Sequence, residues 1–328
     1  MKRALIGFCM ALLVTTLCAG ELSAQGKQNP ILEAEGHIDG IDDLTFSKNG
    51  RKIYTACVDG SIGIWNAKTL ANIKSIRPSD VGDGGFVVID VSPDGSTIAA
   101  GNGDWMKPKV FIVSEETGIV TRVLQNHSSL IAAIRFSPDG KYLATGALDG
   151  WCNIYDTSSW KLLVQLKQGC GTVDAIAFHP KEPGVLAIGA YENSIVEIWE
   201  IEGPKLRNSW KAQEGGVVAL EWLDRGKKLV SAGYDGYIRV WDPLTKEKLL
   251  EMTNSGTVAG PVAFSAKKRL VIVGLEDQTI EVFDLKTGLR KPSLGSVAYP
   301  AWALDFDPKG RRIAGGGSKG KLQLWKKP

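Results

Sequence analysis

A single pattern recurs seven times along the 328 residues of this chain, and it leaves few folds open. One marker is an apolar, alternating stretch that ends on a large residue. It reads IGIWN at Trp65, VFIVS at Val113, CNIYD at Tyr155, VEIWE at Trp199, IRVWD at Trp241, IEVFD at Phe283 and LQLWK at Trp325. Successive copies lie 48, 42, 44, 42, 42 and 42 residues apart. A second marker runs ahead of each: FSKNG at Phe46, VSPDG at Val91, FSPDG at Phe136, FHPKEPG at Phe178, WLDRG at Trp222, FSAKK at Phe264 and FDPKG at Phe306, at intervals of 45, 45, 42, 44, 42 and 42 residues. Two markers that stay in phase seven times define one repeated supersecondary unit.

Each unit parses as strands. Ile131-Ala132-Ala133-Ile134-Arg135-Phe136 alternates as a strand with one buried face does. Ser137-Pro138-Asp139-Gly140 supplies turn chemistry, with proline presetting φ and glycine accepting positive φ. A second strand runs from Tyr142 to Ala147, a tight Asp149-Gly150 turn follows, a third strand from Cys152 ends at Tyr155, and a fourth covers Lys161 to Leu166. No stretch after residue 24 holds a sustained helical period. Four strands in about 42 residues, repeated without helices, predict an all-β, seven-bladed β-propeller of four-stranded antiparallel blades. The last unit lacks a fourth strand, and residues 30–35 form a spare one at the other end, so that N-terminal strand is expected to close the ring by completing the last blade.

The pattern resembles the WD-repeat family. Trp241-Asp242 matches its signature dipeptide in full, and Tyr155-Asp156 and Phe283-Asp284 are aromatic variants. The resemblance implies a buried hydrogen-bonded set within a blade, which His37, Thr55, Asp59 and Trp65 would form. His127, Thr145, Asp149 and Tyr155 would form a second, with tyrosine in place of tryptophan. Elsewhere Gly and Glu replace the histidine, Lys319 stands at the Asp position and Val113 at the Trp position. Most blades must then cohere through apolar packing.

Residues 1–24 read as a signal peptide: Lys2 and Arg3, an apolar run over residues 4–19, then small residues to Ala24, after which cleavage is expected. An uncut membrane anchor is the competing reading of that run. Residues 25–328 would then be one propeller of 304 residues, exported to the periplasm or outside the cell, with no membrane span once the leader is cut. Its net charge of +2, without long Lys/Arg blocks, does not point to nucleic acid. The cysteines left, Cys57, Cys152 and Cys170, make no disulfide framework and no metal spacing.

Catalytic chemistry is poorly supplied. His37 and His127 belong to the structural sets, and His179 sits in a Phe-His-Pro turn. Gly316-Gly317-Ser318-Lys319-Gly320 fits a nucleophile-elbow string but lies between two strands, with no helix behind it. Residues 79–85 are acidic yet lack a closing calcium ligand. No cofactor, metal or catalytic residue is expected. Recognition remains: the loop face carries Trp105, Met106, Trp151, Tyr191, Tyr234, Tyr237 and Tyr299, with Trp105 and Met106 on a long hairpin over residues 101–109 beside a long link over residues 77–85. The expected function is a non-catalytic, monomeric scaffold that binds a protein or peptide partner there. The alternatives are an exported propeller enzyme of hydrolase, lyase or lactonase type, or a sensor of small molecules or glycans. For these, Asp90, Arg135, Asp174, Glu221 and Asp305 on or beside the inner strands could ring the channel and hold a cation or basic peptide.

Overall fold

The structure, a computed structural model, describes residues 29–326 apart from Asp83 and residues 168–170, 256–259 and 296–300. The leader, Cys170 and Tyr299 therefore lie outside the described residues. Within them, the chain forms seven four-stranded antiparallel sheets. The first blade shows the plan: inner strand Ile41–Phe46, then Lys52–Cys57, Ile62–Asn66 and outer strand Asn72–Ile76. The inner strand of every blade contacts that of the next, and the seventh (Ala301–Phe306) contacts the first, so the blades form a closed ring. The expected all-β seven-bladed propeller is what the structure shows. The parsed third repeat appears as Ile131–Phe136, Tyr142–Ala147, Trp151–Asp156 and Leu162–Lys167. Among the described residues no helix is long and apolar enough to cross a membrane.

The core is distributed. Seven apolar clusters each join two neighbouring blades, including the seventh with the first. A twisted four-stranded sheet has two faces to cover, and here each face is covered by the adjacent blade. Two glycines show how close the blades come: a Cβ on Gly146 would stand 2.3 Å from Val173 of the following blade's approach, and one on Gly316 would stand 2.7 Å from Ile41. Bulges at the start of the inner strand, as between Ile41 and Asp43 or Ile131 and Ala133, bend five of these strands around the channel.

The ring closes as the spare strand requires. Leu32–Glu35 pairs antiparallel with Lys321–Lys326, with Leu32 opposite Leu324 and Glu35 opposite Lys321. The Ile31 N–H donates to Leu324 O at 2.7 Å, and Glu33 takes Lys321 Nζ at 2.7 Å and Gln323 Nε2 at 2.6 Å. Deleting residues 29–36 should lower the unfolding free energy by at least about 3 kcal/mol, since it removes several hydrogen bonds and uncovers Leu322 and Leu324. It should also drive association through the bared edge. Thermal denaturation with light scattering measures both, and an unchanged melting curve would contradict this role.

Candidate interaction face and central channel

In a blade of this plan the turns between second and third strands lie at the same end as the links between blades. That end carries the aromatic loops. The hairpin over residues 102–109 is built tightly: the Asp104 carboxylate accepts from the N–H groups of Met106 at 2.9 Å and Lys107 at 3.0 Å. Buried Asn102 donates to Val81 O at 2.8 Å and accepts from the Lys109 N–H at 2.7 Å. Lys109 Nζ reaches Asp80 Oδ2 at 2.5 Å, and the Gly103 N–H donates to Gly85 O at 2.8 Å. The long hairpin and the long link are thus one stapled unit, which presents Trp105 (49% exposed) and Met106 (87% exposed) to solvent.

The other aromatics are placed differently. Tyr191 and Tyr234 pack edge to face at 5.3 Å across a blade boundary, with Tyr234 on the channel wall. Trp151 lies under Lys167 Nζ at 5.4 Å, and Tyr237 under the Arg239 guanidinium at 4.6 Å. Two residues of this face escape the sequence pattern. Ile38, 88% exposed, follows His37 in a link, and Trp302 lines the channel over Gly40. An apolar residue in a polar link was the available signal for Ile38.

Polar sets brace three blades at this end. In the first, His37 Nε2 meets Thr55 Oγ1 at 2.6 Å, and the Trp65 indole N–H donates to the same hydroxyl at 2.9 Å. Ser61 stands between the histidine and Asp59: His37 Nδ1 is 2.9 Å from Ser61 Oγ, which donates to Asp59 Oδ1 at 2.5 Å. In the third, His127 joins Asp149 at 3.0 Å and Thr145 at 2.8 Å, and the Tyr155 hydroxyl donates to Asn126 Oδ1 at 3.1 Å. The fifth blade departs from the expectation that Gly and Glu replace the histidine, because Gln213 takes that place. Gln213 donates to Ser231 at 2.8 Å, the Trp241 indole donates to the same hydroxyl at 2.8 Å, and Arg239 links Gln213 to Asp235. The seventh blade shows what a missing hydroxyl costs. Gly315 stands where the three braced blades have Thr or Ser, and among the described residues the buried Trp325 indole N–H has no acceptor.

His37, Cys57 and Asp59 place their donor atoms within 4.8 Å of one another, the spacing of a metal site. Each is engaged: the His37 nitrogens on Thr55 and Ser61, and Cys57 Sγ between Asp39 O and the Asp59 N–H, both at 3.3 Å. Burial pushes the Cys57 thiol well up, away from the thiolate that a metal requires. His179 caps its own turn, accepting from the Glu182 N–H at 2.9 Å, and packs edge to face against Trp222. The Ser318 string forms the expected hairpin, between Arg312–Gly317 and Lys321–Lys326.

The channel holds a cavity of about 330 Å³ walled by Asp43, Asp90, Arg135, Asp174, Glu221 and Asp305 among apolar residues. Three carboxylates reach to the next blade. Asp305 accepts from the Phe46 N–H at 3.0 Å, Asp43 from Ile89 at 2.9 Å and Asp90 from Phe136 at 2.7 Å. They satisfy edge N–H groups that face the channel, which is structural work. Asp174 stands outside that register, just before the inner strand Ala175–Phe178, and accepts from the Tyr191 N–H at 3.1 Å. Burial raises Glu221 and Asp305 to about 7, and Asp90 and Asp174 to about 6, against the pull of Arg135 on all but Asp174.

Residues 28–66, 118–156 and 204–242 each match the WD40 family (WD domain, G-beta repeat), and each match spans one of the three polar sets. The chain carries WD40 repeats. It is similar to a guanine nucleotide-binding protein subunit beta of Saccharomyces cerevisiae, at 24% identity over 72% of this chain and 55% of that protein. Similarity also extends to a pre-mRNA-processing factor 19 homolog 2 of Arabidopsis thaliana, at 34% over 36% of this chain and 22% of that one, and to a transducin beta-like protein 3 of Bos taurus, at 23% over 61% and 24%. This WD-repeat propeller thus spans from about a fifth to about half of the length of these relatives.

Burial raises Glu221 against the pull of Arg135 and a bond from the adjacent Trp222 N–H, so its charged form is disfavoured in the folded chain. Its folded pKa stands above the unfolded value, so its contribution to stability is complete below about pH 4 and is lost as pH rises through about 7. Glu221→Gln should therefore leave the melting temperature unchanged near pH 4 and raise it near pH 8. Scanning calorimetry at both values decides; a variant no more stable than the native chain near pH 8 would mean that the charge is well satisfied.

Proposed function

We propose that this WD-repeat propeller is a non-catalytic platform that binds a protein or peptide partner on its loop face, and that the chain is exported after cleavage behind Ala24. The hairpin over residues 102–109, stapled to Asp80, Val81 and Gly85 of the preceding link, carries this reading. It holds Trp105 and Met106 exposed on backbone fixed by Asp104, Asn102 and Lys109, so that little ordering entropy is lost when a partner covers them. A rigid tryptophan beside a flexible thioether is the chemistry of an interface anchor. Trp151 and Tyr237, each held under a cation, flank the same face. The channel carboxylates support this reading over an enzymatic one, because three of them are spent on backbone N–H groups of the next blade.

The test is affinity capture from the exported fraction of the native host with residues 25–328, beside a Trp105→Ala variant of the same chain. A partner retained by the first and weakened at least tenfold by the second is expected, since a central tryptophan typically contributes 2 kcal/mol or more, a roughly thirtyfold effect. A partner held equally by both would move the site off the hairpin. Stabilisation of the chain by a metal ion or a small molecule, with no protein retained, would move the function to the channel.

A further inference from the structure

We infer that the face opposite the aromatic loops docks on an anionic lipid bilayer. This goes beyond the partner-binding reading, which concerns the other end of the ring. The turns between first and second strands, and between third and fourth, end on this face by the topology of each blade. Four successive blades carry strongly basic turns there: Asp224-Arg225-Gly226-Lys227-Lys228, Lys267-Lys268-Arg269, Asp307-Pro308-Lys309-Gly310-Arg311-Arg312 and Lys48-Asn49-Gly50-Arg51-Lys52.

These turns form one arc. Arg269 pairs with Asp224 of the preceding blade at 2.5 Å, the Gly310 backbone lies against the Lys268 side chain, and Arg312 Nη2 donates to Gly50 O at 2.7 Å. The two carboxylates within the turns are consumed, Asp224 by Arg269 and Lys228, and Asp307 by Arg312 at 3.1 Å. Arg51, Lys227, Lys267, Lys268, Lys309 and Arg311 are all exposed and have no ion-pair partner among the described residues. The net charge of the chain, only +3, hides this arc, because acidic residues elsewhere balance it. A surface with so many unpaired cations attracts a polyanion.

Two leucines decide which polyanion. Leu244 and Leu289 cap the turns between third and fourth strands of the fifth and sixth blades, at the end of the ring where the arc lies, and are 85% and 68% exposed. Their backbones are fixed: Asp242 accepts from the Leu244 N–H at 2.8 Å, Asn208 donates to Leu244 O at 3.2 Å, and the Asp284 N–H donates to Leu289 O at 2.9 Å. Phosphates of a nucleic acid offer nothing to an exposed leucine. A bilayer interface offers both halves: headgroup phosphates for the cations, and the acyl boundary for the leucines.

The test is co-sedimentation with vesicles of phosphatidylcholine alone, or of phosphatidylcholine with phosphatidylglycerol. Residues 25–328 are used, because the ring closes within the described residues and the apolar run over residues 4–19 would itself enter lipid. The native chain should sediment with the anionic vesicles only, and high salt should release it. Combining Lys227→Ala, Lys268→Ala and Lys309→Ala should lower partitioning about a hundredfold, roughly fivefold per lysine. Leu244→Ser with Leu289→Ser should lower it at least about tenfold, with an unchanged melting temperature in both variants. Equal sedimentation with both vesicle types would overturn the proposal. So would leucine variants that bind as the native chain does while duplex DNA competes the protein off, which would assign the arc to nucleic acid.

Discussion

The apolar wedge between neighbouring blades is the interaction on which everything else rests. No blade buries its own faces: Phe86 and Phe111 of the second blade pack on Tyr54 and Ile64 of the first, and Trp222 and Trp241 of the fifth on Val196 and Ile198 of the fourth. Such a unit is unstable alone and stable only between two others, which is why the repeat has to run full circle. Closure by Leu32–Glu35 then serves twice. It supplies the outer strand of the seventh blade and ties the two ends of the described chain into one ring.

On that apolar frame the polar sets are local braces. A shared hydroxyl on Thr55 or Ser231 receives the indole N–H from the third strand and meets the His or Gln of the link, pinning link and sheet together. Where the hydroxyl is absent the solutions diverge. Trp199 turns its N–H to Glu197 at 2.9 Å, while Trp325 finds no acceptor for its own among the described residues. The two-marker phase, the strands and the closing strand were legible because they depend on periodicity and turn chemistry, which are local. Gln213 and the Tyr155–Asn126 bond were not, because a longer amide or a phenol finds its partner by reach, and reach depends on the folded positions of other residues.

Of the candidate site, the hairpin bearing Trp105 and Met106 stood out in sequence through its length. Nothing local announced that Asn102 and Lys109 staple it to the link ahead of the blade, since those contacts span 21 and 29 residues. Tyr191 and Tyr234 were equally visible as aromatic loop residues, yet their packing on each other across a blade boundary is set by the ring. The basic arc is the extreme case. Its turns are separated by whole blades in sequence and become one surface only when the ring brings them side by side. A propeller converts sequence periodicity into two faces, and the chemistry of each face is assembled from residues far apart in the chain.

Hydrogen exchange of the native chain, resolved strand by strand under conditions where opening is at equilibrium, tests most directly whether the wedges bind the blades into one unit. A closed ring predicts that the slowest amides of the second and third strands share one opening free energy in all seven blades, braced or not. Blades lacking a polar set, the fourth and sixth above all, exchanging at a separate and much lower free energy would contradict it.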